Sequence, residues 1–346
     1  MFLVLAFAIG LWGIGHLMGA PKRARLVMIG ILYLGVVLLH LILPGGHPLR
    51  MATGESAALW LIFGGFVAIG LVYGSGVRRL KARAEVREAA EAKPKSGLFG
   101  DGELERYARH IVLRELGGPG QKLLKEARVL VIGAGGLGSP ALLYLAAAGV
   151  GTIGVIDDDL VDSGNLQRQV IHRDATIGMP KVFSAEAAMK AINPYIDVRP
   201  YHRKLTEDIA ADLLADFDLV LDGTDNFETR YLVNRVAVAA GKPLISGALS
   251  QWEGQVSVFH PAQDGPCYQC IFPEAPAPGL APSCAEAGVL GPLPGVVGSM
   301  MAVEAVKQIT GAGQVLRGQM LIYDALWGET RKIGLKQRDD CPICGA

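Results

Sequence analysis

Asn165, Arg168, Lys181, Asp222 and Asp225 are the residues whose types and spacing suggest chemistry. Asn165-Leu166-Gln167-Arg168-Gln169 brings an amide and a guanidinium together a few residues after Asp157-Asp158-Asp159. Lys181 opens the next helical stretch and can reach the same place. Asp222 and Asp225 close another apolar run, in Asp222-Gly223-Thr224-Asp225-Asn226. Two cations and an amide suit a polyphosphate whose charge must be balanced. A carboxylate beside them suits Mg2+, which takes one or two carboxylates plus phosphate oxygens and water. For Asp225 the other reading is an N-cap on the helix that follows, and the sequence leaves both open.

These side chains need a scaffold to bring them together. Residues 129–132 read as a buried parallel strand, Gly133-Ala134-Gly135-Gly136-Leu137-Gly138 as a glycine turn, and a small-residue helix runs on to about Ala148. A second strand at 152–156 ends in the three aspartates. Gly133, Gly135, Gly136 and Gly138 would let the backbone approach a phosphate, with the helix N-terminus adding free N–H groups. An acidic residue about 20 positions on, in the Asp157–Asp159 cluster, can hold a ribose hydroxyl. Alone, this pattern points to a dinucleotide enzyme, but such an enzyme has no need of Asn165, Arg168 and Lys181.

Further strands are expected at 197–201, 218–222 and 243–246, with helices at 103–116, 181–192, 207–215, 228–240 and 294–310. That alternation predicts a Rossmann-like, doubly wound, mostly parallel α/β sheet. Residues 255–260 and 320–323 fit additional antiparallel strands. The Pro/Gly-rich stretch 273–295 is too long for a simple connector and is a candidate functional loop.

Four of the five cysteines form two pairs, Cys267-x-x-Cys270 and Cys341-x-x-Cys344. The spacing predicts a closed structural Zn2+ site that ties distant parts of the chain together. A disulfide arrangement is the other possibility, and it does not suit a reducing compartment. Cys284 is left over, in the loop.

The remaining sequence is of another kind. The chain has 346 residues and 51% hydrophobic content, with a mean hydropathy of +0.33. Residues 1–20, 26–49 and 56–77 hold one stretch each without Lys or Arg, Asp or Glu. Crossing a bilayer takes roughly 20 apolar residues, so three transmembrane helices are expected, near 2–19, 26–43 and 57–76. A cleaved signal peptide would need a basic residue ahead of the first run, and there is none. Lys22, Arg23 and Arg25, and then Arg78, Arg79, Lys81, Arg83 and Arg87, mark two cytoplasmic segments. The N-terminus should therefore lie outside a multi-pass cytoplasmic (inner) membrane, with everything after residue 78 inside. The expected division is a membrane region at 1–77, a charged linker at 78–97 broken by Pro94 and Gly97, and a soluble domain at 98–346. Residues 1–97 carry 11 Lys+Arg and 4 Asp+Glu, and the rest 22 and 29. The acidic soluble part makes nucleic acid an unlikely partner.

The motifs together closely resemble the MoeB/ThiF/HesA family, relatives of the ubiquitin-activating enzymes. The resemblance covers about residues 100–346. It rests on Arg106-Tyr107-Ala108-Arg109, the glycine turn, Asn165-Leu166-Gln167-Arg168-Gln169, Lys181, Thr224-Asp225-Asn226, Cys284-Ala285-Glu286-Ala287-Gly288-Val289 and both cysteine pairs. It implies ATP·Mg2+-dependent adenylation of the C-terminal glycine of a small ubiquitin-like sulfur-carrier protein ending in Gly-Gly, in a molybdopterin- or thiamine-type pathway. It places Gly136 against the phosphates, Asp157 on the ribose, and Asp159 and Asn226 within the nucleotide-contacting set. Asn165, Arg168 and Lys181 would meet the triphosphate and Asp225 would hold Mg2+. Arg109 matches an arginine supplied across a homodimer interface. Cys284 matches a loop cysteine that in some members forms a thioester or persulfide-linked intermediate; a spectator thiol is the alternative. Gly223 departs from the cysteine that related proteins often carry there. A separate sulfur donor is expected, and the apolar N-terminal region is foreign to the typical soluble enzyme. Two rivals remain: activation of a carboxylate on a tRNA nucleoside, and a non-catalytic membrane scaffold. The acidic soluble half speaks against the first, and the full set Arg109, Arg168, Lys181 and Asp225 against the second.

Overall fold

The structure, a computed structural model, describes residues 2–54, 56–91, 98–277 and 287–345. The chain divides into two compact units, Met1–Lys95 and Ser96–Ala346.

The N-terminal unit is helical: α1 (Phe2–Leu17), α2 (Lys22–Ile42), α3 (Pro48–Thr53) and α4 (Ala57–Glu91). On length and composition two helices could cross a membrane, Lys22–Ile42 and the Ala57–Lys81 part of α4. The expectation of three spans is not met by this measure, because α1 has only 16 residues. At 1.5 Å per residue it reaches about 24 Å, short of a hydrocarbon core of about 30 Å. Val4, Val36 and Trp60 form a small buried cluster. Tyr33 donates its hydroxyl to the Trp60 carbonyl at 2.6 Å. His40, 2% exposed, lies 2.9 Å from the Thr53 hydroxyl. Most large apolar side chains of α1, α2 and α4 face outward, among them Phe7, Ile31, Phe66, Ile69 and Val72.

The second unit opens with α5 (Asp101–Ile111) and α6 (Gly117–Glu126). The single helix expected at 103–116 therefore ends early. The helix ends at Ile111 with Val112 as its C-cap, and a turn over residues 112–116 leads into α6. Then follow β1 (Arg128–Ile132), α7 (Gly138–Ala148), β2 (Thr152–Ile156), α8 (Lys181–Ile192), β3 (Asp197–Tyr201), α9 (Glu207–Ala215), β4 (Leu219–Asp222), α10 (Phe227–Ala239) and β5 (Leu244–Leu249). The rest comprises β6 (Glu253–Phe259), α11 (Tyr268–Ile271), α12 (Pro292–Thr310), β7 (Gln319–Asp324) and β8 (Glu329–Gly334).

One sheet runs β3-β2-β1-β4-β5-β6-β7-β8. The first five strands are parallel and the last three pair antiparallel. The inner parallel strands β1, β2 and β4 are apolar runs because both faces are covered, whereas the edge strand β3, Asp-Val-Arg-Pro-Tyr, buries fully only Val198. Leu142, Val182 and Val297, from α7, α8 and α12, belong to one buried cluster; Leu214 and Val233, from α9 and α10, belong to the other. Strand order reverses between β1 and β4, and ligands of open α/β sheets bind beyond the carboxyl ends of the strands at such a point.

Candidate active site

At the end of β1 the chain turns through Gly133, whose φ of +91° is left-handed. Gly133, Gly135 and Gly136 line a cavity of about 1080 Å3. Gly136 faces Pro294, and a Cβ there would stand 3.1 Å from the proline ring. Gly138 does not line the cavity. A side chain on it would collide with the Gly133 carbonyl, so this glycine serves turn-to-helix packing instead of ligand approach.

Asp157 directly follows β2 and lies on the cavity wall. One carboxylate oxygen accepts from the Ala134 N–H at 2.7 Å, the other from the Asp159 N–H at 2.9 Å. Burial pushes its pKa above the usual carboxylate value, against the opposing pull of Lys181 and these two N–H groups. Lys181 opens α8 almost fully buried, with Nζ 2.7 Å from Asp159 Oδ2. A buried ammonium facing an open cavity is placed to meet a second anion. Arg168 also lines the cavity and donates to Asn165 Oδ1 at 2.7 Å. Asn165 itself is not on the wall; it holds the guanidinium.

The loop after β4 separates two carboxylates. Asp222 is buried, accepts from the Thr224 N–H and hydroxyl at 3.0 and 2.6 Å, and pairs with Arg230 at 3.2 Å. Arg230 also donates to Ser246 Oγ at 3.0 Å and the Gly247 carbonyl at 2.8 Å. This network fixes the loop. Asn226 is the N-cap of α10, its side chain accepting from Thr229 N at 2.8 Å. Capping therefore falls to Asn226, although both residues line the cavity. Asp225 is exposed, with no hydrogen bond or ion pair among the described residues.

Three cations on the wall were absent from the sequence expectations: Arg230, which pairs with Asp222, and Arg203 and Lys204, just beyond β3. The rule that the crevice lies at strand carboxyl ends would have pointed to Arg203 and Lys204. Arg109 is exposed on α5 and does not line the cavity of its own chain. Cys284 lies outside the described residues; Glu274 and Pro276, from the start of the same loop, reach the cavity wall.

The cysteine pairs converge away from this cavity. Cys267, Cys270, Cys341 and Cys344 place their sulfurs within 4.8 Å of one another. Three separations are 3.8, 3.6 and 3.3 Å. A tetrahedral Zn2+ with bonds of about 2.3 Å puts sulfurs about 3.8 Å apart, whereas a disulfide needs about 2.05 Å. Burial pushes the Cys267 thiol up to about 11. Four sulfurs so close and so buried fit a dication, which lets them ionise together. Asn234 is fully buried beside them, its Oδ1 accepting from Tyr268 N at 2.9 Å. Among the described residues its Nδ2 has no oxygen or nitrogen acceptor, and the Cys267 sulfur beside it is an acceptor that suits it.

Comparison with known proteins places this geometry. Residues 107–343 match the ThiF family. The chain is 50% identical over 247 residues to the sulfur carrier protein adenylyltransferase of Thermus thermophilus, covering 70% of this chain and 91% of that one. It is 54% identical over 243 residues to the probable adenylyltransferase/sulfurtransferase MoeZ of Mycobacterium tuberculosis, covering 69% of this chain but 62% of that longer protein. In fold it is similar to E. coli MccB, solved with MccA-N7isoASN, at a TM-score of 0.61 and 21% identity over 70% of this chain and 75% of that one. The chain, which carries a glycine turn and a buried lysine around one crevice and a four-cysteine cluster away from it, belongs to the ThiF family.

Proposed function

We propose that the second unit is an ATP-dependent adenylyltransferase of the ubiquitin-activating type, acting on the C-terminal glycine carboxylate of a small ubiquitin-like sulfur-carrier protein. The observation that carries this reading is the convergence of Gly135, Gly136, Arg168, Lys181 and Asp225 on one cavity, with Asp225 making no hydrogen bond or ion pair among the described residues. The names of the Thermus and Mycobacterium relatives support it.

In the reaction a carboxylate oxygen of the carrier attacks the α-phosphorus. The bond from that phosphorus to the bridging oxygen breaks, and pyrophosphate leaves with the electron pair. The product is an acyl-adenylate, and no covalent enzyme intermediate is required. The chain's task is to align the reactants and balance developing phosphate charge. Asp157 orients the ribose, the glycine-turn amides receive phosphate oxygens, and Arg168 and Lys181 neutralise charge. Asp225 would hold Mg2+, which when bound screens the phosphate oxygens. Zn2+ on the cysteine cluster would be structural. Sulfur would come from a separate donor.

Arg109 would complete the site of a second subunit, a role its exposure and its distance from the cavity of its own chain support. Carrier-dependent pyrophosphate–ATP exchange tests the whole reading: the chain should exchange label with one glycine-terminated carrier from its own genome, and none with any of them would defeat it. Arg109→Ala and Asp225→Ala should each be inactive alone and recover partial exchange when mixed, since mixed dimers rebuild one intact site. No recovery on mixing would remove Arg109 from the partner's site.

The N-terminal unit would anchor the enzyme in the cytoplasmic membrane, with the N-terminus outside and the catalytic unit in the cytoplasm. The outward apolar faces of α2 and α4 support this, since water does not tolerate so large an apolar surface. Alkaline carbonate extraction should leave the full chain in the membrane pellet, and release into the supernatant would exclude anchoring.

A further inference from the structure

Ala134, in the middle of the glycine turn, is gripped on both sides. Its N–H donates to Asp157 Oδ2 at 2.7 Å. Its carbonyl accepts from His172 Nε2 at 2.9 Å. A carbonyl only accepts, so Nε2 carries the ring proton. Nδ1 is then the acceptor, and it faces the Ser184 hydroxyl at 3.0 Å, a group able to donate. Both residues are buried, His172 at 6% and Ser184 at 3% exposure. Burial and the nearby Lys181 charge hold the ring's pKa below its ordinary value, although the Ala134 carbonyl pulls the other way. A neutral ring suits this donor-and-acceptor placement.

The consequence lies in the next peptide. In a planar trans peptide the C=O and the following N–H point in opposite directions. Holding the Ala134 oxygen toward His172 therefore turns the Gly135 N–H the other way. Gly135 lines the cavity, and its N–H donates to no acceptor among the described residues. We infer that His172 is a positioning residue: by holding the Ala134 carbonyl, it keeps the Gly135 N–H aimed into the cavity, ready for a phosphate oxygen. The inference rests on the adenylation reading only in taking that anion to be a nucleotide phosphate. A donor fixed before binding needs no reorganisation when the anion arrives, which is the source of its advantage.

The test is calorimetric binding of ATP·Mg2+ and of adenosine to the full chain. His172→Ala should bind ATP·Mg2+ about tenfold more weakly, the loss of roughly one charge-assisted hydrogen bond, with adenosine affinity unchanged. His172→Gln, whose amide N–H can still reach the carbonyl, should return most of the ATP affinity. Equal weakening for ATP and adenosine, or no recovery with glutamine, would mean that the residue merely supports packing, and would overturn the inference. Should His172→Ala fail to fold, Ser184→Ala leaves the ring in place but unanchored. It should give a smaller loss selective for ATP, and unchanged ATP affinity there would overturn the inference as well. A wild-type chain that binds no ATP overturns this inference and the adenylation reading together. An ATP-binding wild type beside an undiminished His172→Ala overturns this inference alone.

Discussion

Asp225→Ala should lower carrier-dependent pyrophosphate–ATP exchange by on the order of a thousandfold, the scale seen when a principal phosphate-stabilising element is lost. The protein should unfold at the same temperature as the wild type. The two expectations follow from one arrangement. Asn226, one residue on, caps α10, and Asp222, three residues back, anchors the loop through Thr224 and Arg230. Asp225 has no hydrogen-bond or ion-pair partner among the described residues, so its removal costs none of their hydrogen bonds. A carboxylate kept free at the mouth of a crevice lined by Arg168 and Lys181 is placed for a hard divalent cation. Asp225→Asn should lose nearly as much, since a neutral amide is a poor Mg2+ ligand, and raised Mg2+ should recover part of it. Full activity in Asp225→Asn would remove the metal role. A large fall in unfolding temperature would show that the loop leans on Asp225 after all.

Cys270→Ser should have the largest effect on stability. The mutant should contain no stoichiometric zinc by elemental analysis, and the second unit should lose cooperative unfolding at moderate temperature. The cluster joins positions 74 residues apart in the chain. Restricting a loop of that length contributes about 4 kcal/mol by chain entropy alone, against a total of about 5–15 kcal/mol for a typical domain. Strong chelators should reproduce the defect in the wild type and added Zn2+ should reverse it, while thiol reductants alone should do nothing. Destabilisation by reductant without chelator would mean a disulfide.

The inner parallel strands were legible from sequence because they are buried on both faces. Such strands appear as short unbroken apolar runs, and β1 and β2 lie where the runs said. β8 escaped notice for the opposite reason. Glu-Thr-Arg-Lys-Ile-Gly is exposed throughout and is held as an edge strand only by its pairing with β7. Its charges are what protects such an edge from further pairing, and they erase the pattern that would announce it. At the site, the chemistry of Lys181 and Arg168 was readable because buried or clustered cations near a glycine turn need an anion. The division of labour between Asp225 and Asn226 was not readable. Both are good caps, and a helix boundary is uncertain by more than the single residue that separates them. Arg203 and His172 belong to a third class. Their meaning comes from where a strand ends and which carbonyl a ring meets, and neither is written in local sequence.

The cysteine cluster also has a schedule. Cys267 and Cys270 leave the ribosome 74 residues before Cys341 and Cys344 can join them. At about 5–20 residues per second, that interval lasts roughly 4 to 15 seconds. For that time the first pair is an unclosed dithiol, open to oxidation or to capture of the wrong metal. The antiparallel strands β7 and β8 are synthesised within the same interval. If the cluster takes zinc, the nascent chain would have to stay reduced, with zinc at hand when the second pair emerges.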